Sequence, residues 1–208
     1  MKSEITVLSK TIENDAIKLI CRLPCEKLAG IRPFQILEII AAGLTCWGVV
    51  LEVSKKDNSI AVAVKNHFTE APLKIDPLIA VDDVLEMNKL GRALPPLMLS
   101  GQEKILITVD GFWFCLLKPL VDYLKQIPSR DIMIISHFPA KNLNSLASVK
   151  AESIIPVENF TSLKQKISQS DADTLICLNT SKLQRKITSF MWSERINKSL
   201  IIVNNHWL

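Results

Sequence analysis

The sequence predicts a two-domain α/β chain, with a small antiparallel β-barrel over residues 1–99 followed by a parallel-sheet α/β domain over residues 100–208. Three observations carry this. Before about Leu99 the apolar residues fall in short runs separated by turn residues. One run alternates Ile60, Val62 and Val64 with Ala61, Ala63 and Lys65, the period of a half-buried strand. After the breakers Pro95-Pro96 and Gly101 the runs become continuous, as in Lys104–Val109, which marks strands buried on both faces. Those runs alternate with segments of helical period, the pattern of a parallel sheet with covered faces.

In the first half, Ile5–Leu8 and Ala16–Leu23 are predicted strands on either side of Glu13-Asn14-Asp15. Ile36–Ala41 and Gly48–Val53 follow, and Lys55-Lys56-Asp57-Asn58-Ser59 is a hairpin turn leading into Ile60–Val64. Pro24, Pro33, Pro72 and Pro77 fall between runs, where no ladder hydrogen bond is lost. In the second half, Lys104–Val109 is a strand and Cys115–Gln126 a helix with Leu116, Leu117, Leu120, Val121 and Leu124 on its apolar face. Ile132–Ser136 is a strand, Ala147–Ile155 fits either element, Ser162–Ser168 is a short helix and Thr174–Leu178 a strand. A helix from Ser181 to about Ile196 places Leu183, Ile187, Phe190 and Met191 on one face, and Leu200–Val203 is the last strand.

The 208 residues are 48% hydrophobic, enough to fill a core without staples. A net charge of +4, spread along the chain, is too small to point to a polyanion. Five cysteines, an odd number set mostly among apolar residues, fit a reducing cytoplasm and buried thiols. The start, Met-Lys-Ser-Glu-Ile, has no apolar stretch behind its lysine, so export is not expected. The most apolar segment, Ile39–Leu51, is too short to span a bilayer, so no transmembrane helix is expected. Cys21-Arg22-Leu23-Pro24-Cys25 has no second ligand pair, and His67, His137 and His206 are scattered, so no metal site is expected. Gly-x-Ser-x-Gly, Walker A and His-Glu-x-x-His strings do not occur, which removes the common hydrolase and phosphoryl-transfer classes. Asp82-Asp83 reads as a solvated turn, since neighbouring strand residues point to opposite faces.

Several strings resemble those of ferredoxin reductase-type flavoproteins, above all the electron-transfer subunits of dihydroorotate dehydrogenases. Arg32-Pro33-Phe34-Gln35-Ile36-Leu37 is similar to the family's Arg-Pro-Gly-Gln-Phe-Val, Thr69 sits where its Gly-x-Gly-Thr element ends, and Asp82 falls in its Pro-Gly-Asp position. Leu90-Gly91 is similar to the end of Gly-Pro-Leu-Gly, and Cys177 matches the cysteine of Cys-Gly-Pro. The resemblance covers nearly the whole chain. It implies an FAD-binding-like barrel and a nucleotide-binding-like, NAD-type α/β domain, with Trp47, Thr69, Gly111 and Cys177 at remnant cofactor positions.

The departures from the family are as specific as the matches. The Arg-x-Tyr/Phe-Ser string that implies flavin binding aligns with Thr45-Cys46-Trp47-Gly48, which keeps a ring but lacks the phosphate-pairing cation and the hydroxyl. Trp47 is expected inside the barrel, as strand aromatics usually are, or else as a retained flavin platform. The family's glycine-rich turn aligns with Val109-Asp110-Gly111-Phe112-Trp113-Phe114-Cys115, where Trp113 fills a glycine position and Asp110 adds a negative charge, both unfavourable to a pyrophosphate. Cys177-Leu178-Asn179 replaces Cys-Gly-Pro, and Asn204-Asn205-His206-Trp207-Leu208 stands where dihydroorotate-type subunits carry an iron–sulfur cysteine cluster.

The expectation is therefore a protein of this fold that has lost flavin and nicotinamide binding, carries no cofactor and serves as an accessory or protein-interaction subunit in a homo- or hetero-oligomer. Three consecutive aromatics do not all fit one core, so Phe112 and Trp113 are expected to meet a partner. The alternative is a working electron-transfer subunit that holds FAD or NAD(P)H through altered contacts. Lys182, Arg185, Lys186, Arg195 and Lys198 read as the solvated face of the last helix, so nucleic acid is not expected.

Overall fold

A computed structural model of the chain describes residues 3–13, 16–66, 74–93, 104–126, 131–137, 149 and 153–202. The chain divides into two compact units, residues 1–97 and 98–205.

The first unit is a closed antiparallel barrel. Its strands are β1 (Ser3–Glu13), β2 (Ala16–Arg22), β3 (Gln35–Ala41), β4 (Leu44–Ser54), β5 (Ser59–Lys65) and β6 (Val84–Ala93), in the order β1-β2-β5-β4-β3-β6. A single helical turn, α1 (Cys25–Leu28), joins β2 to β3. Alternate residues point inward: Ile17, Leu19 and Cys21 from β2, Leu37 and Ile39 from β3, Cys46 and Val50 from β4, and Val62 and Val64 from β5 pack into one cluster. β6 lies outside the strands foreseen from sequence. It pairs with both β1 and β3 and so closes the barrel, contributing Leu85 and Met87 to the core.

Turn chemistry explains how the strands connect. Ala41 and Leu44 pair across Ala42-Gly43, whose φ values of 51° and 77° form a two-residue left-handed turn matched to strand twist. Arg32-Pro33-Phe34-Gln35 is closed by the Gln35 N–H donating to the Arg32 carbonyl at 3.2 Å, with Phe34 at φ 64°. That is the geometry of a turn favouring Pro at its second position and Gly at its third. Asp82 reaches φ 71° in the turn expected there, where the Asp83 carboxylate accepts the Ala80 N–H at 2.6 Å.

The second unit is a parallel sheet of β7 (Lys104–Val109), β8 (Asp131–His137), β9 (Ser153–Val157), β10 (Thr174–Leu178) and β11 (Ser199–Ile202), in the order β11-β10-β7-β8-β9. Helices α2 (Phe114–Leu124), α3 (Phe160–Gln169) and α4 (Ser181–Ser193) alternate with the strands. Leu106, Ile135, Leu175 and Cys177 pack with Leu163 and Ile167 of α3 and with Leu183, Ile187 and Met191 of α4. Part of the ambiguous segment is β9, an edge strand of the sheet, and Pro156 is tolerated there because among the described residues no strand pairs on its outer side. The last helix ends before Ile196: Arg195 turns left-handed at φ 52° and the Ile196 N–H reaches the Met191 carbonyl at 3.0 Å, a Schellman-type stop.

Candidate functional site

On the barrel, β4 sorts the Thr45-Cys46-Trp47-Gly48 string by strand parity. Cys46 is 1% exposed and its thiol donates to the Ile39 carbonyl at 3.3 Å, while Gly48 pairs with the core residues Leu37 and Val64. A Cβ at Gly48 would come within 2.6 Å of Val62 Cγ1, so glycine is required by packing inside the barrel. Thr45 and Trp47 therefore face outward, both half-buried, and Trp47 pairs with Glu38. This corrects the expectation of a core tryptophan: period two sends Trp47 opposite to Cys46. The pairs Val49–Ala63 and Gly48–Val64 lead to Lys65, exposed on the outer face at the same end of the ladder as Trp47. Sequence reasoning passed over Lys65, although its place in the alternating run Ile60–Lys65 gives its face. Thr69 lies outside the described residues.

In the sheet, strand order reverses between β7 and β10, and the carboxyl ends of the strands at such a switch point form the usual ligand crevice of open α/β sheets. Here the two strand ends are tied by side chains. The Asp110 carboxylate, 8% exposed, accepts the Thr180 N–H at 2.6 Å and the Thr180 hydroxyl at 3.0 Å, and the Asp110 N–H donates to the Leu178 carbonyl at 3.0 Å. One register step earlier, the buried Thr108 hydroxyl donates to Asn179 Oδ1 at 2.7 Å. Thr108, Asp110, Asn179 and Thr180 were not singled out as a group from sequence. Their signal is polar residues at the carboxyl end of two otherwise apolar strands, and their pairing across about 70 positions is visible only in the fold.

Cys177 pairs with Thr108 in the strand register and is 1% exposed. Burial pushes its thiol up to about 12, the Thr108 hydroxyl pulls the other way, and the Asp110 charge adds to the rise. A neutral buried thiol is neither a nucleophile nor a metal ligand. No group of three metal-ligating side chains occurs among the described residues.

The loop after β7 is a 3₁₀ turn, Gly111–Trp113, leading directly into α2. Gly111 has φ 55°, a conformation that favours glycine, and a Cβ there would meet only Thr180 Cγ2 at 3.9 Å. Its requirement is one of backbone conformation. Phe112, Trp113 and Phe114 are 7%, 3% and 9% exposed, and the first two rings meet edge to face at 5.6 Å. The expectation that one ring of this triplet stays outside is corrected: the tight turn rotates successive side chains enough to bury all three.

No protein-family model matches the chain, and no curated protein matches it. Solved structures do, at low identity. A flavin-based electron-bifurcation enzyme, the NADH-dependent reduced ferredoxin-NADP oxidoreductase, aligns with TM-score 0.70 at 13% identity, over 97% of this chain and 76% of its own. A flavohemoglobin from Malassezia yamatoensis with bound FAD and heme aligns with TM-score 0.67 at 12% identity, over 98% of this chain and 60% of its own. An intact type IV self-sufficient cytochrome P450 monooxygenase aligns with TM-score 0.71 at 12% identity, over 97% of this chain. This chain spans only 28% of that enzyme's length.

These neighbours overturn the expectation of a fold without a cofactor, because structures described with FAD or flavin chemistry share the architecture over 97–98% of this chain. Among the described residues no helix is long and apolar enough to cross a membrane. A closed six-stranded antiparallel barrel followed by a five-stranded parallel sheet with a switch point between β7 and β10 is the ferredoxin reductase-like fold, and that is the fold of this chain.

Proposed function

We propose that this chain is a flavin-dependent electron-transfer module of ferredoxin reductase type that holds its cofactor through altered contacts. The observation that carries the reading is Trp47, turned out of the barrel on β4 at the position where the family string has its aromatic residue. An outward, half-buried indole is a flat apolar platform for an isoalloxazine ring. The family's phosphate-pairing arginine is replaced by Thr45, and Lys65, exposed on the same face, supplies the cation in its place. Bound flavin would supply single- and paired-electron transfer; the chain's own residues position its ring and phosphates. The Arg32-Pro33-Phe34-Gln35 turn, with its left-handed third residue, supports a closer likeness to the dihydroorotate dehydrogenase electron-transfer subunits.

The test is reconstitution. Protein incubated with FAD and passed over a desalting column should retain the visible flavin spectrum, with flavin fluorescence quenched by the neighbouring indole, and Trp47→Ala should relieve that quenching. Lys65→Ala should weaken retention while leaving the ring environment of retained flavin unchanged. Loss of all flavin on the column, together with no rise in melting temperature at saturating FAD, overturns the reading.

A further inference from the structure

The outer face of α3 and α4 carries a feature that neither the core nor the flavin reading uses. Trp192 is 81% exposed, the largest exposure of any bulky apolar side chain among the described residues. The inward stripe of α4 is complete without it, since Leu183, Ile187 and Met191 already pack in the core. Lys182, Arg185, Ser189 and Trp192 are spaced three and four residues apart on the opposite stripe, all exposed. Arg185 and Trp192 stand about 10 Å apart along the axis.

The charge on this face is of one sign. α3 and α4 contain Lys164, Lys166, Lys182, Arg185 and Lys186 and no Asp or Glu; the nearest acids in sequence are Glu158, Asp171 and Glu194, beyond the helix ends. Two of the cations are held in place. Lys164 Nζ lies 5.7 Å from the Phe160 ring centre and 5.6 Å from that of Phe190, and Lys186 Nζ lies 5.6 Å from Phe160. These cation–π contacts fix the ammonium groups between the two helices instead of leaving them on mobile stems. Lys198, expected to join this face, is engaged elsewhere, donating to the Ser170 and Ala172 carbonyls at 2.8 and 2.7 Å.

We infer that this face docks an acidic protein partner, with Trp192 entering an apolar pocket of that partner and Arg185 and the fixed lysines meeting its carboxylates. Trp and Arg are the residue types enriched where protein interfaces hold most of their binding energy, and positional charge of one sign selects a partner of the other. Five cations in a chain of net charge +4 are few for a binder of polyphosphate, whose affinity grows with each phosphate neutralised. A bilayer surface takes a helix with a row of outward apolar residues, and the outward stripe of α4 has one.

The inference is independent of flavin and is tested without it. The full chain is titrated, by Trp fluorescence and calorimetry, with a random glutamate–tyrosine copolymer, with polyglutamate, with an oligothymidylate, and with phosphatidylserine–phosphatidylcholine vesicles. The copolymer should bind at low ionic strength about tenfold more tightly than polyglutamate, the effect of one buried anchor side chain. Trp192→Ala should erase that difference with an unchanged melting temperature, and Arg185→Glu with Lys186→Glu should weaken both acidic polymers. No copolymer binding at low salt, no effect of Trp192→Ala, or tighter binding to the oligonucleotide or the vesicles overturns it.

Discussion

The barrel and the parallel sheet fill their left-handed loop positions in opposite ways. At Phe34 the barrel places a bulky side chain on left-handed backbone, at φ 64°. After β7 the sheet forms a 3₁₀ turn with a glycine, Gly111, at the left-handed position and sends Phe112 and Trp113 inside. The difference follows from what each loop is fastened to. The Phe34 turn is held by the Phe34 N–H donating to the Val50 carbonyl at 2.7 Å, on a strand of the closed barrel. The loop after β7 runs directly into α2 as a 3₁₀ turn, the Trp113 N–H donating to the Asp110 carbonyl at 3.2 Å.

Alkaline pH separates the two units most strongly. Burial raises the thiols of Cys21 and Cys46 in the barrel, and of Cys177 in the sheet, from 9.0 to about 12. An unfolded thiol ionises near 9.0 whereas the folded one stays neutral. Stability is therefore fully present below 9.0 and is lost as pH rises through the window toward 12. Each thiol contributes a slope approaching about 1.4 kcal/mol per pH unit, so the barrel, with two buried thiols, should weaken more steeply than the sheet, with one. Urea unfolding across that window, followed by hydrogen exchange in each unit, checks this, and equal slopes would break the comparison.

Packing gives the next effect. Gly48→Ala forces a methyl to within 2.6 Å of Val62 Cγ1 and 3.2 Å of the Ala63 carbonyl, and should destabilise the barrel by about 3 kcal/mol. In the sheet, Asp110→Ala removes both acceptors from Thr180 and should lower the unfolding free energy by about 2 kcal/mol, read from the urea midpoint, with Thr180→Val about half of that. If Asp110→Ala proves neutral, the two strand ends are not tied by this carboxylate. The smallest effect runs the other way. Ala42→Asn places a residue suited to left-handed backbone in the exposed β3–β4 turn and should stabilise by about 0.5 kcal/mol, read as a higher melting temperature.

Which residues form strands and helices was legible where burial repeats locally. Val62 and Val64 gave their strand through alternation, and Leu183, Ile187 and Met191 gave their helix through the spacing of four. β6 was not legible, because Val84 is 60% exposed and its pattern resembles a loop until β1 and β3 are placed on either side of it. Trp47 shows the same limit at the candidate site. Its residue type suggested core, and only the register that points Cys46 and Gly48 inward sends the indole outward.

By itself the sequence determined the two-part architecture and the change from alternating to continuous apolar runs near residue 100, since side-chain periodicity is a local property of strands and helices. Only the tertiary structure decided that β6 closes the barrel, that Asp110 meets Thr180 across the switch point, that the three consecutive aromatics are all buried, and that Trp192 is left in water. Each of these depends on partners distant in sequence, and a periodicity carries no record of which distant segment it will meet.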